Sequence, residues 1–470
     1  MNDTLKTLSD ITITSADYRF LEIQMAGGFG GDAVNAGRIR YANPGYRINT
    51  STGLSGAGMG FNLGLVNQNR GSYAARLLAW ALKDNRTLSS VYENFGEIRS
   101  RLRSLPVTKG AHCMKWADMM VGRLDVAAEH ALIDLLSKAL GKPGWQFIAE
   151  QSTDTIVDWL GVKSKLFDDY VGQDQVLKML GMGESEKDDR IKALLTGDIA
   201  FPTYRTLWSG WSFEEQLSHA VQAIQDGCKG VKLKIGFGIE KDLERLRAIR
   251  KAIGEGPILS ADSNSAYSTE DAIELSSLMG KDDIGLHFFE EPIHPSNLKG
   301  YQELYEHVSE DGQGVRIAAG ERDGTIWSAL SMLPNLHHWQ GDLSRFSLLD
   351  QVLIACFLLY QAQQDKPSAW WTTHAGGTIL NTLCVQAVAL IYALGLISKE
   401  DVEKRVLLEH ISSYDELANP MPRWRSGTYA APNTPGIVDF SEKASEHITT
   451  TEGIWTGQSF DALCYSANSV

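Results

Sequence analysis

The chain reads as an α/β barrel of alternating strands and helices, and three observations carry that reading. First, three short apolar runs close on an acidic residue: Pro257-Ile258-Leu259-Ser260-Ala261 on Asp262, Gly285-Leu286-His287-Phe288-Phe289 on Glu290, and Val315-Arg316-Ile317-Ala318-Ala319-Gly320 on Glu321. Second, the closing acids stand 28 and 31 residues apart. That is one strand, one helix and two loops, the repeat of a barrel whose strand C-termini converge on one mouth. Third, the repeat continues on both sides, and each run ends on a residue that moves, orients or balances a proton.

Taken in order, Gly230-Val231-Lys232-Leu233-Lys234 ends the second strand of the series, with both lysines on one face because strand side chains alternate with period two. Asp262, Glu290 and Glu321 end the third, fourth and fifth. Trp339-Gln340-Gly341-Asp342 ends a sixth, Ala369-Trp370-Trp371-Thr372-Thr373-His374 a seventh, and Arg405-Val406-Leu407-Leu408-Glu409 an eighth. Three carboxylates at one mouth offer hard oxygen ligands with positions left for water and substrate, which suits Mg²⁺ better than zinc or copper. A carboxylate next to an imidazole, Asp342 next to His374, fixes the tautomer and raises the imidazolium pKa, giving a group that exchanges protons near neutrality. Each piece alone has an ordinary reading: Asp262-Ser263-Asn264-Ser265 as a helix cap or turn, Glu290-Glu291-Pro292 as an exposed loop start, the two lysines as a solvated edge, and His374 as one of eleven histidines with a satisfied hydrogen bond. Their shared place at successive strand ends sets those readings aside. His337-His338 is expected to be a loop pair ahead of a strand, with no metal role.

The words Lys232-Leu233-Lys234, Asp262-Ser263-Asn264, Glu290-Glu291-Pro292, Gly320-Glu321 and the Asp342 and His374 pair, in this order, resemble the enolase superfamily and within it the mandelate-racemase-like subgroup. The segment Ala128 to Pro143 looks like the helix and loop that close that family's N-terminal capping domain, so the likeness runs from about residue 10 to the last strand. The resemblance implies a (β/α)7β modified TIM barrel over residues 196–412, and an α+β capping domain formed by residues 1–195 with a C-terminal tail, 413–470, packed on it. Residues 150–198, rich in charge, have no counterpart in the family pattern and read as an insertion.

The resemblance also implies roles. Mg²⁺ would be held by Asp262, Glu290 and Glu321. Lys234 and His374 would serve opposite faces of the substrate α-carbon, with Asp342 orienting His374. Lys232 would lower the pKa of Lys234 and help to hold the substrate carboxylate. Glu409, Asn264, Arg345 and Phe29 are the further expected substrate contacts, Phe29 lying in a glycine-rich loop, Gly27 to Gly31, that would fold over the mouth. The implied activity is a Mg²⁺-dependent dehydratase of aldonates or aldarates, a hydro-lyase of carbohydrate catabolism. It would remove the proton α to a carboxylate and expel the β-hydroxyl through a metal-stabilised enediolate to give a 2-keto-3-deoxy acid. The alternative is a racemase or epimerase of a 2-hydroxy acid working by two-base proton transfer. Two departures from the family stand out. Leu343-Ser344-Arg345-Phe346-Ser347 follows Asp342 where a Gly-Gly pair is common, and Ser263 replaces a small apolar residue, a change expected to matter little.

Composition agrees with such an enzyme. A chain of 470 residues with 43% hydrophobic content can bury a large core, and this length suits two domains. The net charge of −14 argues against nucleic acid or an anionic membrane as partner, and it requires a locally positive site for a small-molecule carboxylate. The five cysteines, Cys113, Cys228, Cys356, Cys384 and Cys464, are odd in number and lack a Cys-x-x-Cys pair, as expected of reduced packing residues in a cytoplasmic protein. The start, Met1 to Lys6, has no basic region and apolar core of a secretory signal. The apolar stretches Val352 to Tyr360 and Val385 to Ile397 fall short of the roughly 18 to 20 residues needed to span a bilayer. A homo-oligomer is expected.

Two readings from other classes fit the residues less well. Gly28-Phe29-Gly30-Gly31-Asp32-Ala33 fits the dinucleotide fingerprint after an apolar run, but the following Val34 to Pro44 is broken by Gly37 and Pro44 and no acid stands about 20 residues on. A barrel retained only as a binding module would be expected to have lost a metal or acid/base residue, and none is missing here.

Overall fold

The computed structural model describes residues 3–24, 40–60, 71–83, 85–103, 123–162, 167–280, 284–310, 314–364, 370–373, 380–411, 418–419, 423–440, 444, 446 and 448–457. The chain opens with an antiparallel sheet of β1 (Ile13–Gln24), β2 (Arg40–Thr50) and β3 (Ser55–Met59). The sequence points to strands at Asp10 to Met25 and Tyr46 to Thr52. The second of these begins earlier because Arg40 to Pro44 pair with the long β1, Arg40 opposite Gln24 and Pro44 opposite Phe20. β3 carries no sequence signal, since glycine is disfavoured in strands. Here glycine is required: a Cβ on Gly58 would strike the Ala127 carbonyl and one on Gly56 the Ala131 carbonyl, both in the helix Leu124–Ala139. That helix is buried almost all round, its charged Asp125, Glu129 and Asp134 included.

Eight parallel strands then close a barrel: β4 (Ala200–Leu207), β5 (Gly230–Lys234), β6 (Ile258–Asp262), β7 (Leu286–Glu290), β8 (Ile317–Ala319), β9 (His338–Trp339), β10 (Trp370–Thr373) and β11 (Val406–His410). Each pairs with the next, and β11 pairs with β4. Helices follow the first seven strands, and among the described residues none separates β11 from the tail, which is the (β/α)7β arrangement. His338 is not in a loop, as the sequence suggested, but is buried in β9, opposite Ala318 of β8. The strand there is two residues long, too short for alternation to show.

The stretch read as an insertion forms the helices Thr153–Leu160, Gln173–Met182 and Lys187–Thr196. They pack on Leu348–Gln363 and Leu380–Ala393, the two barrel helices that hold the long apolar stretches. Among the described residues no helix is long and apolar enough to cross a membrane. The tail does two things. β12 (Ala418–Asn419) pairs with β15 (Asp439–Phe440), and the hairpin of β13 (Trp424–Arg425) and β14 (Thr428–Ala430) extends the barrel wall at the start of β4. β16 (Ile448–Trp455) then returns to pair with β1, so the tail completes the N-terminal sheet.

Cap and barrel are joined by buried ions. Arg99 Nε is 3.0 Å from Glu129, and its guanidinium also pairs with Asp350. Arg103 reaches Asp125 at 2.7 Å, Glu129 at 2.6 Å and Asp350 at 2.9 Å. Asp350 sits in the first turn of the barrel helix Leu348–Gln363 and also accepts from the Ser347 amide at 2.9 Å. Asp134 adds a second tie, accepting from Ala57 of β3 at 2.8 Å and from Ile437 of the tail at 2.6 Å.

Asp350→Ala leaves two arginines without that carboxylate and is expected to cost about 3–5 kcal/mol, measured by urea unfolding. Burial alone would raise the pKa of Asp125 and of Asp350, but the arginines beside them hold both below the usual carboxylate range. Their contribution is therefore present above the unfolded value, about pH 4, and is lost as pH falls through their lower folded values. Acid titration followed by circular dichroism is expected to show a smaller loss of stability below that pH in Asp350→Asn than in the unaltered protein.

Candidate active site

The mouth is built from strand ends, with a turn after each. Asp262 ends β6 and Glu290 ends β7, and the residues just past them, Asn264, Ser265 and Glu291, have φ of 49°, 67° and 39°. Left-handed backbone is costly for residues other than glycine and persists only where neighbours over-determine it. They do so here: the Ser265 amide donates to the Glu291 carbonyl at 2.7 Å, and the Ser263 amide to the Glu290 carbonyl at 3.2 Å. The Ser263 hydroxyl adds a bond to the Glu291 carbonyl at 3.0 Å, so the serine expected to matter little ties the two turns together. Gly320, φ 136°, precedes Glu321, and a Cβ there would lie 2.8 Å from the Trp339 ring. Only glycine lets this strand end turn against that ring.

Asp262, Glu290 and Glu321 come together, each offering an oxygen within 4.8 Å of the others, and all three are buried. Lys232 Nζ donates to Glu290 at 2.5 Å and lies 3.5 Å from Asp262 and 3.7 Å from Glu409. Lys234 Nζ donates to Asp262 at 2.5 Å and to Asn264 Oδ1 at 3.0 Å. Glu409 also accepts from the Thr206 hydroxyl. Two buried ammonium groups thus face four buried carboxylates, leaving two negative charges in excess. The imbalance falls on Glu290, whose carboxyl is pushed up to about 7 by burial and by the charge of Asp262. Its Oε1 is buried with no hydrogen-bond partner. Despite burial, Lys234 and Lys232 hold Asp262 below its ordinary value. An all-oxygen set with excess charge of two and an unpartnered oxygen fits a hard divalent cation such as Mg²⁺.

Burial pushes the pKa of Lys234 down and Lys232 pushes it the same way, as expected, but Asp262, Glu321 and Glu290 together outweigh both and Lys234 is raised. Three further candidates have defined places. Asn264 accepts from Lys234, and its amide donates to Asp262 Oδ1 at 2.9 Å, so it positions both. Asp342 is buried and accepts from the Ser344 amide at 2.7 Å and hydroxyl at 2.5 Å. Arg345 donates to the Arg322 carbonyl at 3.1 Å, so one arm of the guanidinium expected at substrate is engaged with the loop after β8. Glu291 is buried and paired with Arg322 Nε at 3.0 Å, outside the cluster of three. His374 and Phe29 lie outside the described residues.

Sequence reading missed the first strand. Trp208 follows β4 and lies 26 residues before Lys234, within the repeat, so the spacing rule run once more backward would have reached it. Its ring lies 5.3 Å from Lys234 Nζ, and Tyr204 lies 5.4 Å from Lys232 Nζ. Thr206 gave no signal, and Ser263 only a departure expected to matter little, since single hydroxyls are common in strands and turns.

Fold and site define a barrel enzyme with a carboxylate cluster and paired lysines at the C-terminal mouth. Residues 215–439, a little under half of the chain, match the enolase C-terminal domain-like family. The chain is 24% identical over 424 residues to human mitochondrial enolase superfamily member 1, covering 87% of this chain and 89% of that one. The crystal structure of that human protein superposes with a TM-score of 0.78 over 92% of this chain and 95% of the other. The L-galactonate dehydratase of Hypocrea jecorina is 26% identical over 384 residues, 79% of this chain and 80% of that one. The L-talarate/galactarate dehydratase of Salmonella typhimurium LT2, solved with Mg and L-lyxarohydroxamate, superposes with a TM-score of 0.62 at 18% identity, over 94% of each chain.

Mg²⁺ titrated calorimetrically into metal-stripped protein is expected to bind at one site. Glu290→Gln should weaken it tenfold or more, on the order of losses seen when a metal site loses even an outer partner. Glu291→Gln should leave that affinity unchanged and lower the thermal midpoint instead, and equal weakening by both changes would remove the assignment of ligands.

Proposed function

We propose that the protein is a Mg²⁺-dependent acid-sugar dehydratase, removing the α-proton of an aldonate or aldarate and expelling its β-hydroxyl as water. The observation that carries the proposal is the pairing of Lys234 with a cluster of three carboxylates at the mouth of this barrel. The similarity to proteins named as acid-sugar dehydratases supports it. Asp262, Glu290 and Glu321 would hold the ion. A bound Mg²⁺ supplies fixed positive charge against the substrate carboxylate as the α-proton leaves.

The chain's own residues account for the remaining steps. With Asp262, Glu290 and Glu321 engaged as ligands, the attraction that keeps Lys234 protonated would be cancelled. Burial and the Lys232 charge, which both push its pKa down, then leave an amine able to take the α-proton. Lys232, fully buried, adds charge beside the carboxylate. We assign the opposite face to His374, oriented by Asp342. The conjugate acid of one of these bases gives its proton to the β-hydroxyl, the C–O bond breaks, and water leaves. The resulting enol becomes a 2-keto-3-deoxy acid. The buried thiols of Cys228, Cys356 and Cys384 support a cytoplasmic setting.

Screening five- and six-carbon aldonates and aldarates with semicarbazide is expected to detect a keto acid from at least one. If none appears, while a 2-hydroxy acid without a β-leaving group exchanges its α-proton with deuterated solvent, the protein is a racemase or epimerase instead. Lys234→Ala and His374→Asn are each expected to cut turnover about 10²–10⁴-fold, the ordinary worth of a proton-transfer group. One variant should still exchange the α-proton of one stereoisomer, and loss of exchange with every isomer in both would rule out two-faced chemistry. Asp342→Asn should shift the pH profile in the direction of a less basic His374.

A further inference from the structure

Trp208 follows β4 directly and Ile411 follows β11 directly, and these strands are parallel neighbours, with Leu408 opposite Thr203 and His410 opposite Arg205. Both side chains therefore stand at the mouth, where they pack together with Trp211 beside them. Ile411 lies two residues beyond Glu409, on the same side of the strand by the period of two. The apolar pair thus forms a layer above the Lys232 and Glu409 layer, toward the opening. The Trp208 ring also covers Lys234, 5.3 Å from its Nζ. The turn carrying it is held: Gln216 donates to the Trp208 carbonyl at 2.7 Å, and Arg245 donates to Gln216 at 2.9 Å. A wall held this way is pre-organised rather than adaptable.

We propose that Trp208, with Ile411 beside it, determines specificity by selecting monocarboxylic acid sugars, whose far end is uncharged, over the corresponding diacids. This rests on the dehydratase reading for the chemistry, but the selection itself is a matter of binding. A substrate carbon chain that passes Lys234 on this side meets an indole face and a branched alkyl group, with the Glu409 carboxylate beneath them. A hydroxymethyl or methyl end lies against such a surface at little cost, and its C–H groups pack on the ring. A second carboxylate there would lose its water to carbon and face another anion.

The test uses acids of identical configuration that differ only at the far carbon: an aldonate, its terminal deoxy analogue and the aldarate. Selectivity is read as kcat/KM and, independently, as Kd by calorimetry in Mg²⁺. The unaltered protein is expected to favour the two monoacids by about tenfold or more, the scale on which pocket contacts discriminate. Trp208→Phe should keep this preference. Trp208→Arg and Ile411→Arg, placed on different strands so that one can stand in if the other unfolds, should each shift the ratio toward the diacid. Equal or better binding of the diacid by the unaltered protein would overturn the assignment, as would an unchanged ratio in the arginine variants. If no acid sugar loses water while the binding preference holds, the dehydratase reading falls and the assignment of Trp208 stands.

Discussion

The mouth of this barrel is organised by an electrostatic imbalance. Lys232 and Lys234 are buried against Asp262, Glu290, Glu321 and Glu409, and two ammonium groups do not neutralise four carboxylates. Burying an uncompensated charge costs several kcal/mol, so a site like this demands either a proton or a cation. Among these groups the burden falls on Glu290, which is pushed toward neutrality by burial and by Asp262. The same imbalance is what a divalent ion would relieve, and it bears on the protonation of Lys234, because one carboxylate, Asp262, serves both as candidate ligand and as partner of the candidate base.

Holding these like charges together requires a stiff frame. Three consecutive turns use left-handed backbone or a glycine that no other residue could replace, and amide and hydroxyl bonds from Ser263 and Ser265 cross-link the turns after β6 and β7. Glu291, next to the cluster, is taken out of it by Arg322, whose amide also donates to Glu291 at 3.1 Å. The cap is secured to this frame by its own buried ions, with Asp350 of a barrel helix bonded to Arg99 and Arg103 of the cap. A cap fastened at such a point stays in fixed register with the barrel.

Much of this was legible in the sequence. The period of about 30 residues marks the barrel because a strand and its covering helix must each span the same layer, and the residues closing the apolar runs fall at the mouth for the same geometric reason. Lys234, Asp262 and Glu290 end their strands as the spacing implied, Glu409 is next to last in β11, and Glu321 lies just past the end of β8. What local pattern could not reach depended on partners distant in the chain. β3 is a strand only because a helix some 70 residues later needs its glycines for close approach. The Arg322 carbonyl, from the turn after β8, engages one arm of Arg345, and no local pattern announces that partner.

The sequence by itself determined the fold class, the strand ends and the set of groups available for chemistry, because these follow from periodicity and residue type within single segments. Tertiary structure alone decided which of those groups pair. It put Lys234 on Asp262 and Lys232 on Glu290, made Asn264 a positioning residue, withdrew Glu291 to Arg322 and set Trp208 over Lys234. The reason is that charge pairing and desolvation act over a few ångströms through space, across strands whose residues are tens or hundreds of positions apart, and no local periodicity encodes those distances.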